Sequence, residues 1–414
     1  MTELYEINHI KTIYNIFTTS FILLFINIVI NDLLTHHTLK LNFDMILWNI
    51  DGLEYMVLLW VLMFIPSFIP YICFRLWART RKNFSSSNWC LQLWDYFWIG
   101  IYLVFQGAFL VFPPIFILRN SFPPVASGVL IEEQLRMMMK IHAFIRSNFS
   151  NVVSVKSEEK QCSGCPPINK YVYFHFAPTL VYRDEYPRTD KIRWKIVVWH
   201  FCEVLGILFY VFCTNEQFLF SHLRPFWDEK VTSVRVLALF FCLLFPSLIL
   251  LIFGFYLFFH SWMNAFAELL RFGDRMFYQD WWTTTSFQAY YRSWNVVVHD
   301  WIFEYMYSDM TNAFSSSFNN NKTTQTTKCR FLSRVLSFFV SAIFHEYVII
   351  VSMRFCYPVL LILFGGVGVA LFYVPKKNGA TGNIYMWLCI SIGTSMLMTA
   401  YCVEYFARRH CSPY

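Results

Sequence analysis

Val236-Leu-Ala-Leu-Phe-Phe-Cys-Leu-Leu-Phe-Pro-Ser-Leu-Ile-Leu-Leu-Ile-Phe-Gly-Phe-Tyr-Leu-Phe-Phe-His260 contains no Asp, Glu, Lys or Arg. As a helix it is about 37 Å long, enough to cross a hydrocarbon core about 30 Å thick. In that core every backbone N–H and C=O must be satisfied within the segment, which a helix does. The stretch reads as a transmembrane helix, and others repeat it at 12–31, 54–74, 92–118, 196–213, 331–352, 357–374 and 383–404. The whole chain agrees: 57% of its 414 residues are hydrophobic and 14% charged, a balance foreign to a water-soluble domain. The 12–31 stretch runs too long for a signal-peptide core and reads as a retained span.

The topology turns on one helix. Residues 124–147 set Glu132, Glu133, Arg136, Lys140, His142 and Arg146 among Val, Leu, Ile and Met. Hydropathy alone makes this an amphipathic interfacial helix. Crossing or not crossing here moves every later loop to the other side of the membrane. With a crossing and a cytosolic N-terminus, about 22 Lys and Arg fall on the cytosolic side and about 8 on the lumenal side, as the positive-inside rule requires. Without it, roughly 17 positive charges in 148–195, 267–334 and 375–382 turn lumenal.

The expectation is therefore an all-α integral membrane protein of about nine transmembrane helices, one polytopic domain over 1–414, with interfacial helices on the cytosolic face. The polar residues at 132–142 must then face other helices or a wet cavity. Two long cytosolic segments emerge, 148–195 and 262–330, the second with a Ser/Asn/Thr-rich connector at 315–327. The C-terminus is lumenal. The sequons at Asn83, Asn148 and Asn321 fall on the cytosolic side and should carry no glycan.

The net charge of +7 sits in loops between spans rather than along one face, which fits membrane topology and not nucleic acid. Twelve cysteines are scattered, several inside spans, where Cys acts as a small apolar residue. Cys162-Ser-Gly-Cys165 has the spacing of a zinc or redox pair but no second ligand pair nearby, so no metal is expected.

Chemistry concentrates in a few places. His345 lies inside the 331–352 span, roughly 21 Å from its cytosolic start. An ionisable residue there is a functional candidate, or else a histidine hydrogen-bonded between helices. Glu346 follows it but points about 100° away around the helix. A second concentration is Phe277-Tyr-Gln-Asp-Trp-Trp282 followed by Tyr290-Tyr-Arg-Ser-Trp-Asn-Val-Val-Val-His-Asp-Trp301. Tyr291, Asn295 and His299 recur at four-residue intervals, with Arg292 beside them, so one helical face carries a phenol, a guanidinium, an amide and an imidazole. That face suits a nucleotide-bearing substrate arriving from the cytosol, and equally an interfacial helix with snorkelling side chains.

At these residues the sequence resembles the membrane-bound O-acyltransferases, and within them the sterol O-acyltransferase branch. The resemblance runs from His9-Ile-Lys-Thr-Ile-Tyr14 through Phe176-Ala-Pro-Thr-Leu-Val-Tyr-Arg-Asp184 and Phe272-Gly-Asp-Arg-Met-Phe-Tyr278 to Ser341-Ala-Ile-Phe-His-Glu-Tyr347 and Ala407-Arg-Arg-His-Cys411. The family's signature hexapeptide is Phe277 to Trp282, with Tyr278, Asp280 and Trp281 inside it. The Asn that usually follows is Thr283 here. Diacylglycerol acyltransferase relatives share the hexapeptide and the histidine, but they differ at the positions of Val297 and Asp300, which look sterol-like.

The resemblance implies a membrane-bound acyltransferase fold and transfer of a fatty acyl group from acyl-CoA to a sterol hydroxyl at the endoplasmic reticulum membrane. It implies His345 as general base and Asn295 as the group that orients the thioester or stabilises the oxyanion. Tyr291, Arg292, Trp294, Tyr307, Arg330 and Ser341 match acyl-CoA-contacting positions. No cofactor is expected, since a thioester is already activated, and acyl-CoA is a substrate. The expected partners are acyl-CoA, sterol and membrane lipid, in a homodimer or higher homo-oligomer. Acylation of diacylglycerol or another lipid alcohol is the competing enzyme reading. A transporter with an intramembrane His relay is the competing non-enzyme reading, although neither inverted repeats nor paired broken helices are evident.

Overall fold

A computed structural model describes residues 8–37, 44–81, 89–154, 165–223, 231–317, 322–374 and 379–411. Those residues are almost entirely helical, and the one strand-like contact among them is an antiparallel bridge between Arg188 and Phe272. Asn83, Cys162 and Asn321 lie outside the described residues. So does part of the 315–327 connector, whose described ends belong to the helices Ser308–Ser317 and Lys322–Met353.

Six helical stretches are long and apolar enough to span a membrane: Ile46–Arg81, Trp89–Arg119, Trp194–Thr214, Ser233–Leu269, Thr327–Met353 and Gly379–Arg408. Their outward faces carry bare Leu, Val and Phe, such as Val104, Leu205 and Phe245, a surface that water does not tolerate and lipid does. Of the three other expected spans, Thr18–Ile30 and Leu361–Leu371 are apolar but shorter. The third, Pro124–Ser154, is long but carries the polar residues noted above.

The chain divides into two compact units. The larger comprises Asn49–Val198 and Met263–Leu388. Its centre is the 124–154 helix, against which Leu53–Phe64, Ile69–Arg81, Trp89–Arg119, Ile168–Phe176 and Lys322–Met353 all pack. Pro124 starts it, with a ring already set for helical φ.

Most polar side chains of this helix meet protein, as a crossing helix requires, while Glu132 is exposed. Pro113 and Pro114 sit inside Trp89–Arg119 and cannot donate to the carbonyls of Phe109 and Leu110 one turn earlier. Gln134 replaces both missing donors, its Nε2 lying 2.6 Å from Phe109 O and 3.0 Å from Leu110 O. The Tyr347 hydroxyl adds a further bond to Leu110 O. Lys140 is fully buried and donates to the carbonyls of Phe174 and His175, which the end of helix Ile168–Phe176 leaves without a helical donor, and to that of Ala177 just beyond it. Glu133 accepts from Arg136 and from the Trp60 indole. His142 Nδ1 is hydrogen-bonded to the Tyr102 hydroxyl, and its ring lies against those of Trp301 and Tyr305. Asn148 is buried, its amide donating to Phe144 O.

Two loops of this unit are stitched together before the signature segment. Thr189 N donates to Arg271 O at 2.9 Å and Gly273 N to Pro187 O at 2.8 Å. Gly273 has to be glycine, because a Cβ would fall 3.0 Å from the Pro187 carbonyl oxygen. Beneath them the fully buried Glu268 accepts from Arg193 and pairs with Arg275 at 2.6 Å.

The smaller unit comprises Met1–Trp48, Trp199–Trp262 and Cys389–Tyr414. Phe21 and Phe25 of helix Asn8–His36 meet Phe209, and Tyr210 meets Phe253 with ring centroids 4.3 Å apart. Leu239 and Leu243 share a core with Leu219, Leu223 and Phe406, and the Ser395 hydroxyl donates to Phe240 O at 2.7 Å.

Candidate active site

The signature segment is fixed by backbone bonds on either side of Asn295. Gln279 N donates to Ser293 O at 2.8 Å, and Val296 N donates to Phe277 O at 3.0 Å. Phe277 and Trp281 are buried. The Trp281 ring lies 4.6 Å from Trp294, 5.4 Å from Trp387 and 5.9 Å from both Tyr290 and Trp282. Asn383 and Trp387 clamp the segment from the last helix by donating to the Trp282 carbonyl. Tyr278 contacts Trp282, while Asp280 is exposed. Thr283 closes the turn, its hydroxyl lying 2.8 Å from Asp280 O and 3.0 Å from Asp280 Oδ2. A hydroxyl at the seventh position thus still satisfies the turn.

The continuous helical face expected through Tyr291, Asn295 and His299 is broken. Helix Phe287–Trp294 ends at Asn295, whose φ of −138° and ψ of 88° are not helical. Asn295 then starts helix Val296–Trp301, its Oδ1 accepting from Val298 N at 3.0 Å. The reason is local competition: a short amide side chain offers the backbone a cap, and Val296 N is already given to Phe277. Capping occupies the amide oxygen, and no described contact takes the Nδ2 donor.

His345 sits in helix Lys322–Met353, its Nδ1 2.7 Å from the Ser341 carbonyl oxygen. Its ring packs on one side against Phe364, at 5.1 Å, and is otherwise exposed. Depth along a span is set by sequence position, whereas enclosure depends on which face of the helix its neighbours cover. Glu346 points elsewhere, as its 100° offset requires, and is buried with Leu361 N donating to Oε2 at 2.9 Å.

Phe364 joins the two concentrations of polar residues. It belongs to the π-helical turn Leu361–Gly368 and touches His345, Phe338 at 4.4 Å and Tyr291 at 5.6 Å. Tyr291 also meets Phe338 and Phe372. Burial pushes its phenol up to about 12, so it stays protonated and able to donate.

The remaining expected contacts are more scattered. Tyr307 ends the π-helical turn Ile302–Tyr307, stacked on Phe303, and that turn packs against the His345 helix. Arg292 is exposed, with Nε donating to Gln288 O. Arg330 is exposed too, and among the described residues no contact brings either guanidinium to His345. Phe364, Phe338 and Gly368 were not singled out from sequence; the Gly365-Gly-Val-Gly368 run, a mark of close backbone approach, was the available signal.

A helical chain with several apolar spans, in which a phenylalanine ring links an imidazole on one of them to the Tyr291 phenol beside the signature segment, has the parts of a lipid acyltransferase. The sequence profile of the membrane-bound O-acyltransferase family matches residues 51–403, and the chain belongs to that family. Among its relatives, sterol O-acyltransferase 1 of Mus musculus is 36% identical over 99% of this chain and 74% of its own length. Sterol O-acyltransferase 1 of Macaca fascicularis is 37% identical, covering 99% and 73%. Sterol O-acyltransferase 2 of Homo sapiens is 34% identical, covering 99% and 75%.

Proposed function

We propose that this protein transfers a long-chain fatty acyl group from acyl-CoA to the 3-hydroxyl of a sterol, giving steryl ester and CoA, with His345 as general base. The observation that carries the reading is the His345 to Ser341 bond. A carbonyl oxygen only accepts, so Nδ1 holds the proton and Nε2 keeps its lone pair for a substrate. Nε2 takes the hydroxyl proton as the sterol oxygen attacks the thioester carbonyl. The C–S bond then breaks, and the CoA thiolate leaves with a proton from the imidazolium. Asn295 Nδ2 donates to the carbonyl oxygen as charge develops there. Tyr291, Arg292, Trp294, Tyr307, Arg330 and Ser341 contact acyl-CoA. Its nucleotide stays at the cytosolic segment while the pantetheine arm reaches inward. The reaction uses no cofactor beyond this substrate.

The protein crosses the endoplasmic reticulum membrane about nine times, N-terminus cytosolic and C-terminus lumenal, as a homodimer or higher homo-oligomer. What supports a crossing at 124–154 is that Glu133, Gln134, Arg136, Lys140 and His142 all find partners within the protein.

The test is to give purified protein labelled oleoyl-CoA with cholesterol, diacylglycerol or a long-chain alcohol, and to compare His345→Ala. Cholesteryl ester above the variant's background supports the proposal. Ester only with diacylglycerol or the alcohol removes sterol as acceptor, and no ester with any acceptor removes the enzyme reading.

A further inference from the structure

The smaller unit holds a polar cluster that the proposed chemistry does not use. His200 and Glu203 stand one turn apart on helix Trp194–Thr214, and His260 comes from the π-helical turn Tyr256–Trp262. A π-helical turn is an energetically poor way to continue a helix and often marks a functional position. One ligand-type atom from each of the three residues lies within 4.8 Å of the others. His200 is buried and the other two are half-buried.

We propose that His200, Glu203 and His260 form a binding site for a divalent transition-metal ion of the zinc class, fastening helix Trp194–Thr214 to the turn Tyr256–Trp262. Two imidazoles and one carboxylate are the donor set that such ions take, and the His-x-x-Glu spacing puts two of them on one helix face. The scale is right. A tetrahedral ion with arms of about 2.0–2.1 Å holds its ligand atoms about 3.3–3.4 Å apart. His200 Nδ1 and Glu203 Oε2 are 2.9 Å apart, so they need to open by only a few tenths of an ångström.

The groups behind the ligands are those that orient a metal site. Trp199 Nε1 donates to Glu203 Oε1 at 2.9 Å and the Tyr256 hydroxyl to the same oxygen at 3.3 Å. The Ser261 hydroxyl donates to Oε2 at 3.1 Å. Tyr256 stacks on His260 with centroids 4.5 Å apart, and the two imidazole rings stand 77° from each other, converging rather than stacking. Such outer partners fix ligand rotamers before an ion arrives. An ion pair between His200 and Glu203 would need one imidazole; the cluster supplies two.

The experiment uses the full chain purified in detergent without chelator. Its metal content is measured by mass spectrometry, as isolated and after equilibration with Zn2+ and desalting, for wild type, His260→Ala and Glu203→Gln. The expected result is about one zinc per chain in wild type and a loss of at least several-fold in each variant, as removal of one of three protein ligands implies. Where a variant fails to elute as folded protein, Co2+-exchanged wild type decides, through the visible d–d bands of a tetrahedral nitrogen and oxygen site. Wild type that holds no stoichiometric Zn2+ and shows no such bands overturns the proposal, as does zinc retained in both variants. The cluster is then a hydrogen-bond network sharing a proton between His200 and Glu203.

Discussion

The imidazole of His345 donates from Nδ1 to the carbonyl oxygen of Ser341, one turn earlier on the same helix, across 2.7 Å. The imidazole is thus held in one tautomer by backbone, and the Ser341 hydroxyl is not needed for it. His345→Ala is expected to lower kcat by about 10²–10⁴-fold. Ser341→Ala should leave kcat near wild type and, if the proposed acyl-CoA contact exists, raise KM for acyl-CoA. Initial rates at varied oleoyl-CoA separate the two, and a collapse of kcat in Ser341→Ala would contradict a backbone-held tautomer.

The cap and the proposed donor role of Asn295 are separable, because the oxygen caps helix Val296–Trp301 while the proposal assigns the amide nitrogen to the substrate. Aspartate is as good a cap but has no such donor. Asn295→Asp should keep the melting temperature while cutting kcat by about 10²–10³-fold. Asn295→Ala should lose the same activity and also about 1 kcal/mol of stability. Thermal unfolding and turnover measured on the same preparations check this; a fully active Asn295→Asp would remove the donor role.

Burial in lipid is written in composition, so a stretch such as 236–260 discloses its environment without any partner being known. The interior position of the 124–154 helix is written more faintly, in a charge count over distant loops. Its partners are not written at all. Gln134 makes sense only beside Pro113 and Pro114 on another helix, a pairing that no local pattern contains. The break at Asn295 was hidden because a four-residue recurrence suits an unbroken helix, while the signal against it was the capping tendency of one amide. Phe364 was invisible for a different reason: the chain has 46 Phe, each compatible with lipid, so none stands out as the link to Tyr291.

The proline pair and Gln134 give a stability test within the larger unit. Gln134→Leu leaves the Phe109 carbonyl without its donor and Leu110 with only Tyr347, at about 1–3 kcal/mol for an orphaned carbonyl. Pro113→Ala supplies an N–H for Phe109 O from within its own helix. The double variant should therefore melt above Gln134→Leu alone, and the sign of that coupling is the readout. Strictly additive losses would mean that Gln134 does not stand in for the missing backbone donor.

Thr283 replaces the family's usual Asn and bonds Asp280 through its hydroxyl. Thr283→Asn keeps a donor for Asp280 and should leave activity within a few-fold of wild type. Thr283→Val keeps the shape and removes the bond, at about 1 kcal/mol, and should loosen the signature segment. The check is protease susceptibility of 277–284 alongside turnover, and equal behaviour of the two variants would assign the turn to Trp281 packing instead.

Gly368 lies against Tyr291 and Phe338, which reach His345 through Phe364. A Cβ there would fall 3.0 Å from the Tyr291 hydroxyl and 3.4 Å from the Phe338 ring. Tyr291 has little room to yield, since Phe338, Phe364 and Phe372 surround its ring. Displacement would pass to Phe364 and from there to His345, 5.1 Å away. Overpacking of this kind costs about 1–3 kcal/mol, roughly 5- to 150-fold in kcat/KM when it falls on the transition state. Gly368→Ala is expected to lose activity in that range without loss of expression. Tyr291→Phe in the same chain removes the clashing oxygen and should recover part of kcat, even though on the proposed reading Tyr291→Phe alone should weaken acyl-CoA binding. A double variant no better than Gly368→Ala would break the chain of contacts from Gly368 through Tyr291 to the base.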